Sequence, residues 1–166
     1  MNATDGSIND YSRSLGGAGL GARLRRVSEL IDGDTTRAYV ALGIKFEQRW
    51  FGVLNQLVIN GPSTVGELAA ALRITHVSVS QTRSSLEKAG IVVSKSDPMD
   101  ARRRLLKLTP AGRKLVERMG PFWKTLEAVA LELTAEAGEL ITSLDRLEDA
   151  LTRQAMYERI MSRTER

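Results

Sequence analysis

The segment "STVGELAAALRITHVSVSQTRSSLEKAGIVV", Ser63 to Val93, constrains the fold more than any other. Glu67 to Leu72 is a short, alanine-rich helix former. Thr75 is a capping residue ahead of a second helical stretch that reaches about Ala89. The pattern therefore predicts two helices joined by a tight turn. At about 100 degrees per residue, Val79, Thr82, Arg83 and Leu86 share one side of the second helix. Val77, Gln81, Ser84 and Lys88 share the opposite side, flanked by Ser78 and Ser85. A helix face selected only for solubility carries Glu and Lys. A small, hydrogen-bonding face suits close approach to another polar surface.

After Gly90, the runs "IVVSK" and "RLLKL" have strand character and enclose "SDPMDAR", which predicts a hairpin with a loop at its tip. Upstream, Leu20 to Leu42 has helical apolar spacing with Gly43 as a stop, and Phe46 to Ile59 reads as a second, central helix. Downstream, Thr109 and Pro110 form a helix start. That helix is expected to run toward Leu133 with a bend at Gly120–Pro121, and Thr134 to cap a last helix to about Met161 with Leu140, Leu144, Leu147 and Leu151 as its apolar seam.

Composition narrows the chemistry. The absence of cysteine removes disulfides, thiol nucleophiles and iron–sulfur clusters, and His76 is the only histidine, so neither a metal nor a cofactor is expected. No apolar run has the length of a membrane helix, and residues 1–19 read as a flexible polar tail without an export signal, so a cytoplasmic protein with no membrane partner is expected. Residues 65–107 hold 8 basic and 4 acidic side chains, whereas the blocks before and after hold 7 against 6 and 9 against 10. The net charge of +4 thus comes from the middle block, which fits either an anionic partner such as nucleic acid or a solvated basic face.

Taken together, "ELAAALRITHVSVSQTRSSLEKAGIV" followed by "DPMDARRRLLKLTPAG" resembles the recognition helix and wing of the MarR family of transcriptional regulators, in the same register. The resemblance covers the chain from about Leu20 onward. It departs at Arg73, where the family commonly has glycine, and at Ala101, often arginine. It implies a mostly α fold with a small β-hairpin wing: a winged helix-turn-helix over about residues 46–108, with dimerisation helices over about 20–42 and 110–162, in a single domain spanning 20–166. The implied function is a homodimeric repressor, responsive to a small aromatic or phenolic effector, that binds an inverted repeat in double-stranded DNA and performs no catalysis.

The expected DNA contacts on the recognition helix are Thr75, His76, Val77, Ser78, Gln81, Ser84 and Lys88. His76 also reads as a simple capping-turn residue. On the wing they are Asp100, Arg102, Arg103 and Arg104. A hairpin holds Arg102 out toward a minor groove, Asp100 can orient its guanidinium, and Arg103, Arg104 and Lys107 are placed to meet phosphates. Tyr39, Phe46, Trp50, Phe51, Phe122 and Trp123 are either core aromatics or the lining of an effector pocket. The rival functions are a protein- or RNA-interaction module without operator specificity, and an enzyme, for which no catalytic constellation is found.

Overall fold

The computed structural model describes residues 10–100 and 102–164. The chain divides into two compact units, Met1–Val116 and Glu117–Arg166.

The first unit opens with α1 (Tyr11–Ser14) and a 3-10 turn (Gly16–Gly19). The expected flexible tail is therefore ordered from Asp10 onward, and its earlier part lies outside the described residues. The Asp10 carboxylate explains the order: it caps α1 by accepting from the Ser12 N–H at 3.0 Å, and takes two bonds from the Arg26 guanidinium at 3.1 and 2.7 Å. Arg26 lies on α2 (Leu20–Ala41), which stops at Gly43 with φ +63°, as its sequence predicts.

The next helix, α3 (Trp50–Ile59), begins four residues later than the apolar pattern predicts. Phe46 is buried, but in a turn-rich lead-in where the Trp50 and Phe51 N–H groups bond to the carbonyls of Glu47 and Gln48. Burial of an aromatic does not distinguish a helix from a packed turn.

Two helices follow, α4 (Val65–Leu72) and α5 (His76–Lys88). Between them Arg73 adopts the left-handed conformation at φ 52°, normally glycine's, and so sharpens the turn. The hairpin of β1 (Val92–Ser96) and β2 (Arg104–Leu108) pairs antiparallel with Ser94 opposite Leu106, and Ser63 adds a bridge to Leu106. This ties the wing to the residues just before α4. Val53 and Leu54 of α3, Leu68 of α4, Val79 and Leu86 of α5 and Leu106 of β2 are all fully buried. The inward side of α5 is thus the predicted one.

The long α6 (Pro110–Glu136) starts where Thr109 caps it, accepting from the Gly112 N–H at 3.0 Å while its hydroxyl donates to the Gly90 carbonyl at 2.7 Å. Gly112 is required there: a Cβ would stand 2.1 Å from the Ile91 carbonyl oxygen.

In the second unit α6 continues through Gly120 and Pro121 without a break in the helix. Thr134 lies inside α6 and caps nothing; its hydroxyl donates to the Leu131 carbonyl at 3.0 Å. The break comes at Gly138, with φ +81°, where left-handed backbone costs least. The predicted last helix is two, α7 (Leu140–Arg153) and α8 (Met156–Thr164), parted at the extended residue Gln154. Arg159 spans that break by donating to the Gln154 carbonyl at 3.0 Å and the Ala150 carbonyl at 2.8 Å, which satisfies helix-end acceptors. The fold is mostly α with a β-hairpin wing.

Candidate nucleic-acid interface

The outward stripe of α5 forms as the sequence predicts. Val77, Gln81, Ser84 and Lys88 are all exposed, and Val77, an apolar side chain, is 65% exposed. The inward side holds Val79, Thr82 and Leu86 in the core, so the orientation of the helix is fixed by packing. Some of the expected contacts are already engaged locally. Thr75 accepts from the Ser78 N–H at 3.1 Å and its hydroxyl pairs with that of Ser78 at 2.9 Å; Ser84 donates to the Ser80 carbonyl at 2.9 Å. The Gln81 amide has no partner among the described residues, which leaves both its donor and acceptor available. His76 is exposed on the first turn of α5. Its ring lies 3.5 Å from where a Cβ on Gly66 would stand, an ordinary contact distance, so the imidazole packs over the start of α4.

Ser85 faces a different task from its neighbours. It accepts from the Trp50 indole N–H at 3.0 Å and donates to a Glu47 carboxylate oxygen at 2.9 Å. This relay fastens the recognition helix to the residues leading into α3.

At the wing tip the loop is folded by its aspartates. Asp97 accepts from the Met99 N–H at 2.9 Å and Asp100 from the Arg102 main-chain N–H at 3.0 Å. Asp100 therefore shapes the backbone under Arg102 and does not hold its guanidinium as expected. A carboxylate two residues back reaches the near main-chain N–H more readily than a long side chain pointing away. Among the described residues the Arg102 guanidinium has no ion-pair partner, and Ala101 lies outside them.

The other two arginines are already engaged. Arg103 donates to a Glu67 carboxylate oxygen at 2.6 Å and lies 3.9 Å from Asp97. Arg104 donates across the hairpin to the Ser94 carbonyl at 3.2 Å. Glu67 is the third residue of α4 and completes a capping box with Thr64, accepting from the Thr64 N–H at 2.7 Å while the Glu67 N–H donates to the Thr64 hydroxyl at 3.2 Å. The Thr64 main-chain bond first, then its hydroxyl, and then the Arg103 charge hold the Glu67 carboxyl below its usual range. The "TVGE" spacing signals the box, but nothing local to it signals Arg103, which lies 36 residues away.

Among the six aromatics, Tyr39, Phe46 and Trp50 form one buried cluster, with centroids 5.0 Å apart for Tyr39–Phe46 and 5.5 Å for Phe46–Trp50. Their polar atoms are engaged, Tyr39 by donating to the Gln48 side-chain oxygen at 2.7 Å and Trp50 through Ser85. Phe51 is half-buried in the same unit; Phe122 and Trp123 are half-buried in the second. Among the described residues no group of three or more acidic or histidine side chains could hold a metal, and no helix is long and apolar enough to cross a membrane.

This arrangement has relatives. The HTH-type transcriptional regulator FarR of Neisseria gonorrhoeae is 33% identical over 110 residues, a match covering 63% of this chain and 75% of that protein. The structure of Bordetella bronchiseptica BpsR, described for regulation of its DNA binding by 6-hydroxynicotinic acid, superposes with a TM-score of 0.65 at 26% identity, over 78% of this chain and 92% of that one. Staphylococcus aureus MepR in complex with DNA shares the fold at a TM-score of 0.66 and 21% identity, over 79% and 97% of the two chains. The family model for MarR matches residues 42–103, which span α3, the helix-turn-helix and most of the wing. With these helices, this wing and this degree of identity, the chain belongs to the MarR family, whose members are DNA-binding transcriptional regulators and not enzymes.

Proposed function

We propose that the chain works in the cytoplasm as a homodimeric repressor that reads an inverted repeat, with α5 in the major groove and Arg102 in the flanking minor groove. The observation that carries this reading is the exposed stripe Val77, Gln81, Ser84 and Lys88 on a helix whose other side is locked into the core. Gln81 can pair bidentately with adenine, and Val77 can touch a thymine methyl. Arg102, held on a loop folded by Asp97 and Asp100, supplies the minor-groove cation. His76 and Lys88 extend the contact to the phosphates.

Dimerisation is supported by apolar faces that each unit leaves open. On α2, Leu20, Leu24, Val27 and Ile31 recur at heptad-like spacing and are 39–46% exposed. In the second unit Ile141, Met156, Tyr157 and Ile160 are at least half exposed. A second copy buries such faces by two-fold symmetry. Selection of bound fragments from a random duplex pool tests the reading. Enrichment of an inverted repeat with half-sites about 10 base pairs apart is expected, and enrichment of no sequence would refute it.

The effector in this proposal is a small aromatic or phenolic acid; of the aromatics expected to meet it, Tyr39, Phe46, Trp50 and Phe51 belong to the first unit and Phe122 and Trp123 to the second. The aromatic acid that regulates BpsR supports that class. Titration followed by tryptophan emission tests it: a saturable change that also weakens DNA binding is expected, and an unchanged spectrum counts against it.

A further inference from the structure

A groove runs between the lead-in to α3 and the outer flank of α5. It encloses about 540 Å³, and its walls include Lys45, Glu47 and Arg49 on one side and Gln81, Ser84 and Lys88 on the other. Three of these six side chains are cations and one is an anion. The anion is already engaged, because Glu47 receives Arg49 at 2.6 Å and the Ser85 hydroxyl at 2.9 Å. Lys45 and Lys88 are exposed and have no ion-pair partner among the described residues. Lys45 is also firmly placed. Its neighbours Ile44 and Phe46 are buried, and the Ile44 N–H donates to the Tyr39 carbonyl at 2.9 Å. A second cleft on the same unit, about 310 Å³ and lined by Gln56, Asn60, Ser63 and Glu67 among others, has no cation in its walls. Of these two clefts, the one beside α5 carries the cations.

The position of the groove identifies the anion. A helix about 10–12 Å across fills a major groove about 12 Å wide, so residues packed against the flank of the helix meet the phosphate walls and not the base edges. We infer that this groove seats a phosphate of the DNA strand bordering α5, bound by Lys45 and Lys88, with Arg49 as a third donor oriented by Glu47. The inference rests on the reading of α5 as the major-groove helix and adds Lys45 and Arg49, from outside the helix-turn-helix, to the DNA contacts. The Trp50–Ser85–Glu47 relay then has a functional reason, since it keeps both walls of the seat in register.

The test is the salt dependence of affinity for a selected duplex and a random duplex, for the full chain and for Lys45→Gln and Lys88→Gln. Each variant should lower the slope of log affinity against log salt by about 0.9, and leave the ratio of specific to random affinity within about twofold. Both positions are exposed, so unchanged urea midpoints verify the fold. A wild-type slope in both variants overturns the groove assignment, while Gln81→Ala in the same assay shows separately whether the α5 reading survives. A changed ratio with an unchanged slope overturns it too, because the lysines would then read bases. A groove that binds millimolar inorganic phosphate, while both variants keep wild-type duplex binding, is a free-anion site and not a DNA contact.

Discussion

The Arg103 guanidinium on β2's approach lies 2.6 Å from the Glu67 carboxylate at the start of α4, so the wing and the helix-turn-helix are clipped together at the residue that completes the α4 capping box. Both side chains are about half exposed, which keeps the pair's contribution to stability below about 1 kcal/mol. Its consequence is positional: a wing whose base is held can present Arg102 in one place. Arg103→Ala should therefore leave the urea midpoint almost unchanged and weaken DNA binding less than Arg102→Ala does. Equal losses in a binding titration would mean that Arg103 leaves Glu67 for a phosphate.

The capping box at Glu67, with a smaller share from Arg103, sets a pH dependence. The folded-state carboxyl of Glu67 is held below its ordinary value of 4.5, so it contributes stability that is fully present above that value. The contribution disappears as pH falls below 4.5 and through the folded-state value. Melting curves should show Glu67→Gln less stable than the wild type near neutrality, with the difference closing in acid. Thr64→Ala, which removes the hydroxyl of the box, should cost about 1 kcal/mol. A difference that widens in acid would contradict the assignment.

Arg73 adopts φ 52° between α4 and α5. Left-handed backbone costs a residue with a Cβ about 1–2 kcal/mol, part of which glycine gives back in unfolded-state entropy. Arg73→Gly should raise the urea midpoint by the equivalent of about 0.5–1 kcal/mol. A lowered midpoint would show that the arginine side chain contributes more than the turn costs.

Gly112 has the opposite sensitivity. With the Ile91 carbonyl 2.1 Å from a would-be Cβ, Gly112→Ala must displace either the start of α6 or the turn ahead of β1. A loss of about 1–3 kcal/mol is expected by chemical denaturation. A neutral result would mean that the two segments are not held together as described.

How far the sequence could be read depended on whether each signal was local. The cap at Thr75 and the spacing of Val79, Thr82 and Leu86 placed α5 and its outward stripe, because cap and period are written into consecutive residues. The hairpin was legible for the same reason. The start of α3 was not, since Phe46 is buried against Tyr39 and Trp50 by tertiary packing while its backbone is in a turn. Thr134 looked like a cap, yet the chain breaks at Gly138 and again at Gln154, where backbone conformation and not side-chain chemistry decides. In the site, Gln81 and Arg102 kept the accessibility expected of them. Arg103 found Glu67, a pairing made by the folded chain that no spacing rule predicts, whereas Asp100 took the local main-chain N–H two residues on.

The central claim, that α5 reads bases through its outward stripe, is tested most directly by Gln81→Ala. The measurement is its affinity for the selected operator and for random duplex across a salt series. The operator affinity should fall by about 1–3 kcal/mol, random-duplex affinity should barely change, and the salt slope should stay at the wild-type value because no phosphate contact is lost. Equal weakening on both duplexes, or no change on either, would contradict a base-reading role for the stripe.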